Sequence, residues 1–226
     1  MMKNVLFFVS LFVSTFALAQ ENGVYHGFRI GAMDDATINN VSVGDEVLTG
    51  VGTHVGYICN VQMLRWAGLE FGIHSATRSS KVSGTFYEPK GNQLIDYHLK
   101  FDELSVNAPA LFKLRVGKGP TKIALFAGAS FNYVMEVRQS KRYFNEDYND
   151  VYSYEDRMIK QLNTLEIEYV GGAGLEFPIY AHGIIAFNYR YHLAIYSCGE
   201  LENGDKPKFS GSVVSMSLMY KPQKKK

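Results

Sequence analysis

The chain is 226 residues long, with 14% aromatic residues (15 Phe, 15 Tyr), 21 Gly and 6 Pro. Ample apolar surface, with 46% hydrophobic residues, excludes a disordered chain, and a net charge of +1 gives no electrostatic case for nucleic acid, which would show as a basic excess. Abundant Tyr, Phe and Val favour strands over helices.

Residues 1–19 read as a secretory signal peptide. Lys3 supplies the basic start, Val5 to Leu18 is almost wholly apolar, and Ala17-Leu18-Ala19 forms an A-x-A cleavage site. The apolar run of about 14 residues is too short for a membrane helix, which needs roughly 20. Gln20 rather than Cys follows the site, so no lipoprotein anchor is expected. Residues 20–226 then form a single exported domain.

Stretches of period two fill the rest of the chain. Val24 to Met33 sets Phe28 and Ile30 against Arg29. Thr49 to Asn60 sets Val51, Val55 and Tyr57 against glycines and His54. From Ala67, the residues Ala67, Leu69, Phe71 and Ile73 oppose Gly68, Glu70, Gly72, His74 and Arg78. From Leu104, the even positions to Val116 are apolar, opposite Glu103, Ser105, Asn107, Pro109, Leu111, Lys113 and Arg115. Ile123 to Glu136 sets Leu125, Phe131, Tyr133 and Met135 against a mixed face that ends on Glu136. Leu165, Ile167, Tyr169 and Leu175 oppose Glu166, Glu168, Gly172, Gly174 and Glu176. Ile185, Phe187, Tyr189, Tyr191 and Leu193 oppose Ala186, Asn188, Arg190 and His192. Last, Val214, Met216, Leu218 and Tyr220 oppose Gly211, Ser215 and Ser217. These are eight strands of about 10 to 16 residues; a tilted membrane strand needs about 9 to 11.

Period two suits a soluble lipocalin-like ligand carrier with its apolar face inward, or a transmembrane barrel with that face outward. Three features favour the second. Connections alternate between about five residues (61–65, 117–121, 178–182) and long loops near 34–48, 78–96, 137–163 and 197–208, as in outer-membrane barrels. Tyr57, Trp66, Phe112, Tyr133, Phe177, Tyr189, Tyr191 and Tyr220 stand on the apolar face near strand ends, where membrane–water interfaces would lie. Arg29, Glu70, Lys113, Arg115, Glu166, Glu168, Glu176 and Arg190 share the opposite face, where an eight-stranded lumen would pack them into a charge network beside small glycines. The expected fold is all-β: an eight-stranded antiparallel up-and-down transmembrane β-barrel of outer-membrane type.

The order of segments resembles the PorT-like outer-membrane β-barrel family of Bacteroidetes. The resemblance rests on YHGFRIGA (25–32), GLEFGIHSATRSSKVSG (68–84), LSVNAPALFKLRV (104–116), ALFAGASFNYVME (124–136), YVGGAGLEF (169–177) and IAFNYRYHLAI (185–195). It implies an eight-stranded barrel with both termini periplasmic, transfers no catalytic residue, and makes support of type IX secretion one expected role. The chain departs from the usual barrel ending, because KPQKKK follows the last aromatic, Tyr220.

No catalytic, cofactor or metal-ligand pattern is present, and no cofactor is expected. His26, His54, His74, His98, His182 and His192 lack ligand spacing; His54, His74 and His192 would join the lumen. The expected partners are outer-membrane lipid and, through the long loops, a protein. The loop from Arg138 to Met158 carries Tyr143, Tyr148, Tyr152, Tyr154 and dense mixed charge that suit recognition. The alternative of a lipid-modifying enzyme would place His192, Ser197 and Glu136 at the outer rim. Cys59 and Cys198 fall at opposite ends of this topology and are expected to stay unbridged.

Overall fold

The computed structural model describes residues 23–39, 46–48, 50–88, 93–144, 150–158, 165–179, 182–195 and 208–222. The expected signal peptide, Ser197 and Cys198 lie outside the described residues. The strands are β1 (Val24–Asn39), β2 (Glu46–Leu48), β3 (Gly50–Gln62), β4 (Ala67–Glu88), β5 (Gln93–Val116), β6 (Lys122–Phe144), β7 (Asp150–Met158), β8 (Leu165–Ile179), β9 (Gly183–Ala194) and β10 (Lys208–Tyr220).

Every pairing is antiparallel. The order β4-β3-β1-β10-β9-β8-β6-β5 is closed by a β4–β5 pairing, which makes an eight-stranded barrel. β2 adds to β4 and β7 adds to β6, both beyond the barrel wall. Closure removes the free edges that an open sheet would expose.

Five wall strands, β1, β3, β8, β9 and β10, fall within the expected 10 to 16 residues, and the other three outrun it. β4, β5 and β6 have 22, 24 and 23 residues. The stretch 78–96 is therefore largely a paired hairpin, and 137–163 contains the end of β6 and all of β7. A strand leaving the lipid no longer needs an apolar face, so Ser79, Ser80, Lys81 and Ser83 lose the alternation while keeping the ladder. Ten residues of β4 from Ser79 to Glu88 add roughly 30 Å of strand.

Burial fixes the sidedness. Phe28, Ile30, Val55, Ile73, Leu125, Phe131, Leu175, Phe187, Met216 and Leu218 are exposed, while Arg29, Glu70, Lys113, Glu166, Glu168 and Arg190 are buried. This inverts a soluble protein, in which isolated charges are almost never fully buried. The apolar interior is confined to small clusters, such as Leu111, Ala124, Phe126 and Val170. Polar and charged side chains fill the rest of the lumen.

Candidate functional site: the charged lumen

Strand register brings the inward charges together in two clusters. In the first, Glu70 on β4 accepts from Arg29 Nη1 of β1 at 2.7 Å. Arg190 Nη2 of β9 lies 2.7 Å from the same Glu70 oxygen. Arg29 Nε also donates to Ser217 Oγ at 2.9 Å, and Arg190 stacks on the Phe126 ring at 4.2 Å. Next to this group, Glu176 on β8 pairs with Lys113 and, at 2.7 Å, with Arg115 Nε. Lys113 Nζ further donates to Asn60 Oδ1 at 2.9 Å.

The second cluster centres on Arg78. It pairs with Glu168, lies 3.6 Å from Glu166 Oε2 through Nη1, and reaches Glu103 Oε1 at 4.0 Å through Nε. Arg78 and Glu103 are direct cross-strand partners on β4 and β5, whereas the two β8 glutamates reach across the lumen. Glu168 also bonds His192 Nδ1 at 2.8 Å, and Asn132 Nδ2 donates to Glu166 at 3.3 Å. Arg78 and Glu103 are additions to the expected network, although both keep the inward parity of their strands. A loop start at residue 78 cuts the strand too early.

Among the described residues, five cations (Arg29, Arg78, Lys113, Arg115, Arg190) thus meet five carboxylates (Glu70, Glu103, Glu166, Glu168, Glu176) in the lumen. Buried charges persist when paired and hydrogen-bonded. The three lumenal histidines are also brought together: His54 lies 4.2 Å from His74 and 6.2 Å from His192 between ring centroids. Among the described residues, no group of His, Cys, Asp or Glu is arranged to hold a metal ion.

Two placements at the outer rim are corrected, while the expected lumenal facing of His192 holds. Glu136 does not end the inward face of β6. A register shift opposite Leu104/Ser105 resets the parity, so Val137 is buried and Glu136 turns outward to pair with Arg138. A bulge inserts an unpaired residue, and every later side chain on that strand changes face. His192 is not a rim residue either: it is buried on the lumenal side against Glu168. His192 and Glu136 therefore stand on opposite faces of the wall, and Ser197 lies outside the described residues.

All eight expected aromatics are exposed: Tyr57, Phe112, Tyr133, Phe177, Tyr189, Tyr191 and Tyr220 on the outer face of strands, and Trp66 in the turn between β3 and β4. They are not confined to strand ends. Trp66, Phe177 and Tyr220 are at the short-turn end and Tyr133 lies opposite Leu165 at the other, but Tyr57, Tyr189 and Tyr191 sit in mid-strand. Local partners explain two of these. Tyr189 OH bonds Ser212 Oγ at 2.8 Å, and Tyr57 OH bonds His26 Nδ1. A phenol with a partner on the protein surface does not need interfacial water.

The family described as outer membrane protein beta-barrel domain matches residues 18–198, in agreement with this architecture. Among solved structures, the chain is similar to Neisserial surface protein A, with 15% identity, a TM-score of 0.42, and coverage of 88% of this chain and 99% of that one. It is similar to Ail, the attachment invasion locus protein of Yersinia pestis, with 15% identity, a TM-score of 0.34 and the same coverage. No curated protein matches in sequence. The family match runs through β1 to β9, and the structure adds β10 as the strand that closes the wall between β9 and β1. The chain belongs to the outer membrane protein beta-barrel domain family.

Proposed function

We propose that this is a small, non-enzymatic integral outer-membrane barrel whose lumen is plugged, with its long hairpins serving as the functional surface. The observation that carries the plug is the buried set of five cations and five carboxylates in one narrow lumen. Eight strands leave an interior that side chains can fill. In planar bilayers the purified protein is expected to give no stable conductance of porin size, and such a conductance would overturn the plug.

The short turns and both termini face the periplasm in this reading, and the hairpins β4–β5 and β6–β7 face outward. Short periplasmic turns and long outer loops are the usual asymmetry of such barrels. Removal of residues 1–19 accompanies export, so N-terminal sequencing of the mature protein should begin at Gln20. Protease added to intact cells should cut within 79–100 or 138–158 and spare the 117–121 turn. Cleavage confined to that turn would reverse the orientation.

The resemblance of the segments at 25–32, 68–84, 104–116 and 124–136 to PorT-like barrels supports a role in an envelope or secretion complex. A deletion strain that secretes normally while losing surface binding would favour recognition through the hairpins instead.

A further inference from the structure

We propose that the lumen mouth at the short-turn end is an oxyanion site that takes a single phosphate group. The sequence of this end is one-sided. The short turns of this end, 62–67, 117–121 and 179–183, contain no Asp or Glu, while Arg65, Lys113, Arg115, Lys118, Lys122 and Lys221 stand in or beside them. The mouth opens into a vestibule of about 150 Å³ lined by Arg65, Arg115, Lys122, Tyr25, Gln62 and Glu176, among others.

Glu176 is the carboxylate of this vestibule, and two cations already share it. Lys113 and Arg115 Nε both pair with Glu176. Arg115 Nη2 is left buried with no hydrogen-bond partner, in a side chain only 7% exposed. A buried donor with no acceptor is unfavourable unless something supplies one.

The donor is also held in place. The Arg115 guanidinium lies 5.9 Å from the Tyr25 ring, and Lys221 Nζ lies 5.9 Å from the same ring. Lys122 Nζ is tethered to the Gly117 carbonyl at 2.5 Å, which leaves two of its three N–H groups for a ligand. A fixed guanidinium edge beside an ammonium is the donor set that recognises phosphate. The vestibule is below the roughly 300 Å³ at which drug-sized ligand pockets begin, so it suits one charged group rather than a whole cofactor. That group comes either as free phosphate or as the headgroup of a membrane lipid at the barrel rim.

The test uses the mature chain refolded in a neutral maltoside micelle, with folding checked by gel mobility before and after boiling. Inorganic phosphate should bind saturably in calorimetry, and sodium chloride at equal ionic strength should not mimic it. Arg115→Gln should weaken binding by about tenfold, the factor one charge-assisted bond is worth in affinity. The double variant R65Q/K122Q leaves the Lys113–Glu176–Arg115 pairs untouched and should also weaken binding if Arg115→Gln fails to fold. Absence of saturable binding, or equal affinity in wild type and the folded variants, overturns the site. Short-chain phosphatidylglycerol displacing the phosphate identifies a lipid headgroup as the source; failure to displace identifies the free anion. Neither conductance nor orientation enters these readouts, so this site stands or falls separately from the plug.

Discussion

Arg78→Met is the most informative perturbation of the lumen. Among the described residues, Arg78 is the cation set against three buried glutamates, at 3.6 Å from Glu166 and 4.0 Å from Glu103, with the closest contact to Glu168. Methionine keeps much of the side-chain volume and removes the charge. Three carboxylates then face one another, relieved only by Asn132 and His192. Removing one partner of a buried pair costs about 3–5 kcal/mol, and three carboxylates on one cation place this site at the upper end. The assay is reversible urea unfolding from phospholipid vesicles, followed by fluorescence. Trp66 is the only tryptophan in the chain and is exposed in the short turn between β3 and β4, so its emission reports the state of that end of the barrel. The triple variant R78M/E166Q/E168Q should regain much of the loss, because the repulsion goes with the charges and residues in one network couple. Arg78→Met within about 1 kcal/mol of wild type, less than the smallest loss expected for a broken buried pair, would refute the assignment of Arg78 as the hub.

Gly172→Ala should impair folding, because a Cβ there would lie 2.2 Å from the Tyr189 carbonyl oxygen, whereas Gly171→Ala, whose Cβ meets nothing within 4 Å, should be tolerated; refolding yield on gels compares them. Cys59 is an unbridged thiol, half-buried on the outward face of β3, so an impermeant maleimide should not label it in intact cells, and labelling of C198S cells would refute this. Glu70→Gln should destabilise the barrel by about 3 kcal/mol or more, since it strips the carboxylate from two buried guanidinium groups; urea midpoints measure the loss, and a change below about 1 kcal/mol would contradict it.

Sidedness is legible in the sequence because lipid and lumen make opposite demands on alternate residues. β5 shows this most plainly, with Leu104 to Val116 outward and Glu103 to Arg115 inward. Strand ends are not legible. Past Arg78 the ladder continues through Ser79, Ser80 and Lys81, whose composition reads as loop because a strand beyond the lipid needs no apolar outer face. That is why Arg78 looks like a loop start and its partner Glu103 does not stand out, although both fit the parity. The outward turn of Glu136 cannot be read either: a bulge is a property of pairing between strands, and the β6 sequence alone alternates without a break. The mid-strand tyrosines escape the pattern for a related reason, since Ser212 and His26 reach them from neighbouring strands distant in sequence.

The ten lumenal charges balance overall but not locally. Arg29, Lys113, Arg115 and Arg190 meet only Glu70 and Glu176 on the short-turn side, while Arg78 alone meets Glu103, Glu166 and Glu168 on the hairpin side. Counted as formal charges among the described residues, each half has an imbalance of two, of opposite sign. Such an arrangement forgoes local pairing, which would be strongest in a low-dielectric interior. It has a consequence for permeation. A cation entering from the hairpin side finds carboxylates and then meets the basic half, and an anion entering from the turns meets the reverse. Ions of either sign therefore face a barrier of like charge in one half of the lumen, even where water enters. If the lumen is plugged as proposed, loosening one cluster relieves only one barrier, and single substitutions are expected to leave the other barrier in place.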